Sequence, residues 1–379
     1  MYDVLVVGAG AMGSAALYHL AASGARVIGV DAHSPPHALG STHGRSRIIR
    51  EAYYEDPVYV PLVRRAYENW DALSRDSAST LFTRTGAMMI GAAASELVTG
   101  TMASAMEHAI PVEELDAAGI TRRFPILRPS PGMIGILEKN AGILDPELCV
   151  RTHLDLAVAR GAEFRAGTRV TSIEESSGRV VAHTTTGVIE AGRVVLCAGP
   201  WISPLLEPLG ISLPFSVERQ TMHWFDNAAP ATPDHLPVVM IENEEGTLFY
   251  AIPDVGDGVK AAIHHDGAVV SPDTVPRDVD DADRAPVRAL ARRFIPAMGE
   301  NIRDSVVCLY TNTPTFDFVI DTLPGMPAMV LISACSGHGF KFASAIGEIA
   351  RSIALGESLR VDISRFRIGA ISQEPLLSS

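Results

Sequence analysis

Residues 3–31 hold the feature that most restricts the fold of this chain. A short apolar run, DVLVV, is followed by GAGAMG, in which Gly8, Gly10 and Gly13 have the G-x-G-x-x-G spacing. A helical segment, SAALYHLAASG, comes next, and a second apolar strand, RVIGV, ends at Asp31. Strands of this β-branched, fully apolar type are typical of parallel sheets that helices cover on both faces. The order of these parts predicts an α/β domain of the Rossmann type.

Each part of this unit has a physical role in binding a dinucleotide. Gly8 permits a tight turn, Gly10 lets the backbone approach a pyrophosphate, and Gly13 allows close packing of the helix on the strand. The N-terminus of the helix favours phosphate charge, and Asp31 is placed to accept hydrogen bonds from an adenosine ribose. A glycine turn that binds no ligand is the simpler alternative.

The stretch after Asp31 separates two possible cofactors. An NAD enzyme would continue with regular strand–helix units, but residues 32–53, AHSPPHALGSTHGRSRIIREAY, are irregular and interrupted by prolines. An extended loop of this kind favours FAD, which is longer than NAD and often threads such a segment. We therefore expect FAD as the cofactor.

The bulk composition argues against several classes of protein. The chain has 379 residues, 47% of them hydrophobic, and a formal net charge of −13. Nucleic acids reward basic surfaces, so we expect no nucleic-acid partner. The apolar runs are too short to span a bilayer and no histidines or cysteines have metal-ligand spacing, so we expect neither a membrane nor a metal.

The cysteines and the N-terminus indicate the cellular compartment. No CxxC pair is present, which disfavours a zinc knuckle or a thioredoxin motif. The cysteines are Cys149, Cys197, Cys308 and Cys335. Their wide spacing suits a reducing compartment, and the chain begins with a strand in place of a secretory signal. We expect a cytoplasmic protein.

Later segments predict two interleaved domains. RVVLCAGPW at 193–201 indicates a second strand that runs into a glycine turn, and AMVLISAC, GHGFKF and a following helix repeat this arrangement near the C-terminus. Several short strands between them suggest a separate, strand-rich module. The predicted fold is α/β, a two-domain flavoprotein with a Rossmann-type FAD-binding domain and a strand-rich α+β substrate domain. We assign residues 1–78, 145–211 and 310–379 to the FAD-binding domain, and residues 79–144 and 212–309 to the substrate domain.

Three motifs, in this order, resemble one group of flavoproteins. They are GSTHGRSRIIR at 40–50, CLYTNTPTFDFVID at 308–321 and SGHGFKFAS at 336–344. The chain is similar to the monomeric sarcosine oxidase and N-methyltryptophan oxidase family, in the D-amino-acid-oxidase-like group, from about Asp3 to about Phe366. The resemblance implies a monomeric FAD enzyme that uses O₂ to oxidise the secondary amine of an N-methyl amino acid. Sarcosine would then give formaldehyde, the amino acid and H₂O₂.

The resemblance also implies roles for residues at matching positions. Cys308 would be bonded covalently to the flavin ring. Arg50 and Lys341 would hold the substrate carboxylate, as a guanidinium fork and a point charge can. Lys260 would lie over the flavin face where oxygen reacts, and it would stabilise developing negative charge there.

The other implied site residues fall into three sets. The further catalytic candidates are His264, Tyr250 and Arg47. The substrate site would be completed by Met240, Tyr250 and Tyr310. The cofactor-binding candidates are Gly8, Gly10, Ala11, Met12, Gly13, Asp31, Ala32, Gly40, Ser41, His43, Arg47, Val170, Ala198, Gly199, Trp201, Cys308, Gly337, His338, Gly339 and Lys341.

The residues by themselves leave simpler explanations open. Cysteine is often a small buried hydrophobe, which would explain Cys308 without chemistry. Arg50 and Lys341 could form ordinary salt bridges. Lys260 could be a surface lysine on an alternating strand. Of the adjacent His264 and His265, only one can face a cavity, because neighbouring strand residues point in opposite directions.

Two positions depart from the family pattern and leave the substrate open. Arg45 stands where the family commonly has an acid, which adds positive charge near the cofactor and could change the packing of the loop. Ile263 precedes His264 where related enzymes can have a tyrosine, so the width of the pocket is undetermined. N-methyltryptophan and cyclic amino acids such as proline or pipecolate are alternative substrates. A flavin dehydrogenase with another electron acceptor and a non-enzymatic nucleotide-binding protein are alternative functions.

Overall fold

A computed structural model describes residues 1–176, 178–227 and 229–371 of the chain. Residues 372–379, the end of the last segment assigned to the FAD-binding domain, lie outside the described residues. The strands are β1 Tyr2–Val7, β2 Val27–Val30, β3 Arg47–Ile49, β4 Phe82–Arg84, β5 Ala87–Ala92, β6 Val112–Asp116, β7 Met133–Glu138, β8 Gly142–Leu144, β9 Glu163–Arg165, β10 Val170–Ser176, β11 Arg179–Thr184, β12 Gly187–Leu196, β13 Ser216–Phe225, β14 Val238–Glu242, β15 Leu248–Ile252, β16 Val259–His264, β17 Ile302–Asn312, β18 Val319–Leu323 and β19 Met326–Ser333. The helices are α1 Ala11–Ala22, α2 Val60–Ser77, α3 Glu96–Glu107, α4 Ala117–Arg123, α5 Pro146–Ala159, α6 Ile202–Leu206, α7 Asp281–Phe294, α8 Ala343–Leu355 and α9 Ile368–Ile371.

The first sheet has a parallel centre built from distant parts of the chain. Its central strands lie in the order β9, β2, β1, β12 and β19, and each pairs in parallel with its neighbour. The β10–β11 hairpin continues from the first half of β12, and β18 pairs antiparallel with β19. Val4–Val7 of β1 are buried, as a strand covered on both faces requires.

The second sheet is almost wholly antiparallel and follows the order β17, β13, β16, β15, β14, β5, β7 and β6. Only the β14–β5 pair among these neighbours is parallel. One face packs its apolar side chains against α4 and α7. The other face carries Met240 on β14 and Tyr250 on β15, which stand opposite each other in register and point toward the first sheet. This face forms one wall of the cavity described below.

Two elements differ from what the sequence predicts. The segments 187–190 and 193–197 suggest two strands, but they form the single strand β12, which pairs first with β11 and then with β1 and β19. Gly192 and Glu190 interrupt its apolar pattern because the strand passes from an exposed hairpin into the buried sheet. The sequence interpretation has no helix at α7, whose start is fixed by a capping box between Asp280 and Asp283 and whose pattern is masked by charge and by Pro286.

Helices α1 and α8 cross at a contact that only small residues allow. An ideal Cβ built on Gly347 of α8 would lie 2.5 Å from the carbonyl carbon of Ala15 in α1. Both residues are buried. The close approach holds α8 against the helix that follows the glycine-rich turn.

Replacing Gly347 by alanine should force these two helices apart. We expect Gly347→Ala to lower the free energy of unfolding by about 2 kcal/mol, because overpacking a filled contact costs roughly 1–3 kcal/mol. Urea denaturation followed by tryptophan fluorescence measures the change. The control is Gly369→Ala on α9, where an added Cβ meets nothing within 4 Å; its stability should stay within about 0.5 kcal/mol of the wild type. Equal stability of the two variants would contradict the expected close contact.

Candidate active site

The turn between β1 and α1 has the close-packed geometry that its glycines predict. Gly8 has a φ of 85°, and a Cβ there would lie 2.4 Å from the carbonyl oxygen of Cys197. A Cβ on Gly13 would lie 1.7 Å from the carbonyl oxygen of Gly8. No side chain fits at either position, so these glycines let the turn pack closely against its neighbours, while Gly10 and Ala11 at the start of α1 line the cavity described below.

Asp31 at the end of β2 helps to shape this turn. Its carboxylate accepts hydrogen bonds from the backbone N–H groups of Ala9 and His33, each at 2.8 Å. Burial opposes ionisation of Asp31, but these bonds and one from His37 outweigh it and keep the pKa of the carboxyl below its usual value. The ionised carboxylate therefore fixes the turn as well as standing where a ribose is expected.

A long cavity runs from this turn to the face of the second sheet. Its empty space, counted together with the solvent at its open mouth, is about 1500 Å³. The predicted site residues that line it are Gly10, Ala11, Met12, Gly40, Ser41, Arg47, Arg50, Ala198, Gly199, Trp201, Met240, Tyr250, Lys260, His264, Cys308, Tyr310, Gly337, His338, Gly339 and Lys341. The predicted residues outside this lining are Gly8, Gly13, Asp31, Ala32, His43 and Val170.

Buried polar atoms beside the cavity lack partners within the described residues. Ser41 Oγ and His43 Nε2 are both buried without a hydrogen bond. Burial and the nearby charges of Arg47 and Lys260 lower the pKa of His43 to about 3, so its ring is neutral. Since buried polar groups are normally paired, Ser41 Oγ, which lines the cavity, is suited to a polar ligand. Together with the glycine turn, this means that the residues present fit a dinucleotide such as FAD.

Cys308 lies in the middle of the cavity wall, on β17. It is buried, and its Sγ stands 3.7 Å from Nη2 of Arg47 and 3.6 Å from the carbonyl oxygen of Ser41. Burial raises the pKa of the thiol, although the charge of Arg47 opposes this. Met222, which the sequence interpretation missed, packs on Cys308 and also lines the cavity. Cys308 is thus buried, as a structural cysteine would be, but it faces the cavity.

Arg50 lies at the far end of the cavity and is engaged with an acid. Its Nη2 stands 2.6 Å from Oε2 of Glu55, and its Nη1 donates to the carbonyl of Ala52 at 3.0 Å. The guanidinium lies over the rings of Tyr53 and Tyr54, at 4.4 and 4.8 Å from their centres. Burial opposes ionisation of Glu55, but the charge of Arg50 outweighs it and lowers the pKa. The salt-bridge alternative therefore describes Arg50, and Glu55 is a cavity residue that the sequence interpretation missed.

Lys341 extends into the same end of the cavity without a carboxylate partner among the described residues. Its Nζ donates to the carbonyl of His338 at 2.8 Å and lies 3.5 Å from the hydroxyl of Tyr53. Trp70 of α2 donates its indole N–H to the carbonyl of Lys341 and fixes the backbone there. Burial and the charge of Arg50 lower the pKa of Lys341 to about 7.

Lys260 on β16 is buried, which overturns the surface-lysine alternative. Its Nζ donates to the backbone carbonyls of Gly44, at 3.0 Å, and Ser46, at 2.7 Å. Burial, followed by the charge of Arg47, lowers the pKa of Lys260 well below its usual value. The lysine thus connects the second sheet to the loop that carries the RIIR motif.

His264 and Tyr310 stand together in the wall of the cavity. His264 Nδ1 lies 3.4 Å from the hydroxyl of Tyr310, and a Cβ on Gly337 would come within 2.7 Å of both rings. His265 instead turns to Glu218, at 3.0 Å, so only one of the adjacent histidines lines the cavity. Ile263 packs on the opposite face of the sheet and does not set the width of the cavity.

Two classes of site find no support in the part of the chain that the structure describes. No cluster of three or more histidine, cysteine, aspartate or glutamate side chains is arranged to bind a metal ion. None of the described helices combines the length and apolar character that crossing a membrane demands.

Comparison with known proteins identifies the family. Residues 3–353 match the family described as DAO, FAD dependent oxidoreductase. The chain is 40% identical to a monomeric sarcosine oxidase of Streptomyces avermitilis over 93% of its own length and 94% of that protein. It is 34% identical to an N-methyl-L-tryptophan oxidase of Salmonella newport over 98% of its own length and 100% of that protein.

A solved structure confirms the predicted fold class. NikD, an amino acid oxidase essential for nikkomycin biosynthesis, superposes with a TM-score of 0.86 at 27% identity, over 97% of each chain in its open form. The two-domain α/β architecture expected from the sequence is therefore confirmed, while the domain bounds given above stay a prediction. The glycine-rich turn and the unpaired hydroxyl of Ser41 agree with these similarities. The chain therefore belongs to the FAD-dependent oxidoreductases of the DAO family, alongside the sarcosine and N-methyltryptophan oxidases.

Proposed function

We propose that this protein is an FAD-dependent oxidase of N-methyl amino acids that uses O₂, with sarcosine as the first candidate substrate. The observation that supports this most directly is the pair of buried cations, Arg50 and Lys341, at one end of the cavity. They are suited to a carboxylate, and Cys308 and Lys260 lie along the same cavity. The activities named for the relatives agree with this chemistry.

Arg50 and Lys341 would bind the substrate through its carboxylate. A substrate carboxylate would share Arg50 with Glu55 and at the same time accept a bond from Nζ of Lys341. Glu55 holds the guanidinium in place before the anion enters, so the position of this binding group is set in advance. Binding at two points orients the rest of the substrate toward the middle of the cavity.

The cavity wall formed by Tyr250, Met240 and Tyr310 would exclude water from the substrate, and the charges around it would keep the substrate amine neutral. Tyr250, Met240 and Tyr310 are largely apolar surfaces there. Burial and the nearby positive groups lower the pKa of His264 well below its usual value, so its ring is neutral. Arg50 and Lys341 would also lower the pKa of the substrate amine, because like charge disfavours an ammonium beside them. When bound, FAD supplies the redox chemistry by accepting a hydride equivalent from the carbon next to that nitrogen and passing the electrons to O₂.

Lys260 would assist the reduction of O₂. Burial and the charge of Arg47 disfavour an ammonium at Lys260, and negative charge that develops beside Nζ would favour its protonation. A proton carried at Nζ can therefore stabilise charge on O₂ and be delivered to the product. The carbonyls of Gly44 and Ser46 hold Nζ in one position for this task.

We also propose covalent attachment of FAD through Cys308, a monomeric state and a cytoplasmic location. The cavity-facing sulfur supports the first. The name of the Streptomyces relative, a monomeric enzyme, supports the second. The four cysteines are all free, as in a reducing compartment, and this supports the third.

The substrate is tested by anaerobic reduction of the flavin. Purified holoenzyme is mixed with sarcosine, N-methyltryptophan, proline and pipecolate in turn, and loss of the flavin absorbance is followed. We expect sarcosine to bleach the flavin and, in air, to yield H₂O₂. Bleaching by proline or pipecolate alone would instead assign cyclic amino acids as the substrate class. Slow reoxidation in air would indicate a dehydrogenase, and no bleaching by any amine would rule out the proposed function.

Replacing Cys308 by serine tests the covalent link. We expect Cys308→Ser protein to release its flavin on acid precipitation, whereas the wild-type protein retains it, because a serine oxygen replaces the bonding sulfur at nearly the same size. Absorbance of the supernatant measures the release. Cys149→Ser, a buried cysteine on α5 outside the cavity lining, is the control and should retain its flavin. Flavin that stays attached to the Cys308→Ser protein would assign the linkage elsewhere, with Cys335 next to be tested.

The pH dependence of carboxylate binding tests Lys341. Below about pH 7 its amine is an ammonium, and above that pH an anion must bring a proton with it. We expect the Kd of acetate to rise with pH above about 7, by up to about tenfold per unit. Titration of the flavin absorbance from about pH 6 to about pH 9 measures this.

Two variants complete this test. Lys341→Met should bind acetate more weakly and with no pH dependence in this range. Lys139→Met, which removes an exposed lysine outside the cavity lining, should keep the pH dependence of the wild-type Kd. A wild-type Kd that stays flat across the range would contradict the assignment of Lys341 to the carboxylate.

A further inference from the structure

A strained turn lies beside the cavity at the residue that departs from the family pattern. Arg45 has a φ of 64°, in the left-handed region that few residues other than glycine adopt. The N–H of Ser46 donates to the carbonyl of Gly44 at 2.7 Å and closes a three-residue γ-turn around Arg45. Turns of this hand are rare and strained, and they persist only where the surroundings hold them.

The turn holds Nζ of Lys260 in place. The carbonyls that accept from Lys260 Nζ belong to Gly44 and Ser46, the two residues on either side of Arg45. On its other side, the backbone N–H groups of Gly44 and Arg45 donate to the carboxylate of Glu147, at 2.7 Å and 3.1–3.2 Å. Any movement of this turn would therefore move the two carbonyls that hold Lys260.

The side chain of Arg45 fastens the turn to the second sheet. Its guanidinium forms an ion pair with Asp304 on β17 and lies 3.7 Å from Asp257, which precedes β16. It also lies 4.5 Å from the ring centre of the buried Trp224, and Lys260 Nζ lies 5.7 Å from the same ring. Trp224 stands in register between Lys260 and Asp304 on the adjacent strands. Arg45 thus reaches across the strands that carry the lysine.

We infer that Arg45 is a positioning residue: its contacts with Asp304, Asp257 and Trp224 hold the γ-turn closed and thereby fix Nζ of Lys260 for the reduction of O₂. This inference rests on the role proposed above for Lys260. Arg45 does not line the cavity that holds Arg50 and Lys341. Its influence falls on the reaction of the enzyme with O₂ and not on the oxidation of the amine.

Because the chain has few lysines, the accessibility of the Lys260 amine can be measured directly by chemical labelling. The chain has three lysines, Lys139, Lys260 and Lys341. Lys139 is exposed and the other two are buried. Brief acetylation of the holoenzyme by an amine-reactive reagent, followed by peptide mass spectrometry, gives the labelling rate of each. Lys139 serves as the internal reference and Lys341 as the buried control.

Arg45→Gly is the main variant, because glycine adopts the left-handed conformation without strain and so favours folding. We expect the labelling rate of Lys260, relative to Lys139, to rise about fivefold, as loss of one ion pair and one cation–π contact would allow. The rate at Lys341 should not change. Arg303→Ala removes another exposed ion pair on β17, with Asp226, and should leave all three rates unchanged.

Stopped-flow kinetics test the catalytic consequence. Arg45→Gly should slow reoxidation of the reduced enzyme by O₂ about fivefold and leave the rate of anaerobic reduction by sarcosine unchanged. Lys260→Met should slow reoxidation further, and adding Arg45→Gly to it should have no additional effect if Arg45 acts through Lys260.

Failure of this inference can be told apart from failure of the proposed function. The labelling arm needs no substrate, so it reports on the turn even if none of the amines reduces the flavin. Unchanged labelling of Lys260 in Arg45→Gly would overturn the inference, as would additive effects of the two substitutions on reoxidation. Normal reoxidation of the Lys260→Met protein would instead refute the role of Lys260 itself, and with it the catalytic part of the inference.

Discussion

Buried positive charge is the constraint on which the arrangement of this cavity depends. An ammonium or guanidinium taken out of water without compensation costs several kcal/mol, so each one must find oxygen atoms nearby. Lys260 finds two backbone carbonyls, Lys341 finds one carbonyl and a phenol, and Arg50 finds Glu55. The carbonyls that accept from Lys260 and Lys341 belong to two of the three sequence motifs, 40–50 and 336–344. These motifs therefore supply backbone oxygen atoms for the buried lysines as well as side chains that would touch a ligand.

The two sheets contribute different properties to the site. The first supplies rigid backbone, in which glycine contacts and the carboxylate of Asp31 fix the turn where a phosphate would bind. The second supplies side chains on alternate positions of its strands, so that Lys260 and His264 of β16 face the cavity while Ile263 faces the helices. The backbone of the cofactor turn and the side chains of β16 thus come from different sheets.

The sequence identifies local motifs more readily than the distant residues that those motifs contact in the folded protein. The β1–α1–β2 unit is recognisable because its periodicity, its glycines and its terminal acid lie within about thirty residues. Glu147 is not recognisable as the partner of Gly44, since the two are 103 residues apart. Asp304 is not recognisable as the partner of Arg45 either, because the two are 259 residues apart. Lys260 could not be assigned from alternation because both faces of its strand are buried, which only the packing of the two sheets determines.

The interleaving of the chain also determines when the cofactor-binding fold can be completed. β1 and β2 come from the first thirty residues, while β19 and α8, which close the same sheet and cover α1, come from residues beyond 325. During synthesis the apolar N-terminal unit must therefore remain unsatisfied until nearly the whole chain has emerged. Such long-range pairing slows folding and exposes strand edges to aggregation. A truncated chain would thus lose the nucleotide fold even though the glycine-rich motif itself was intact.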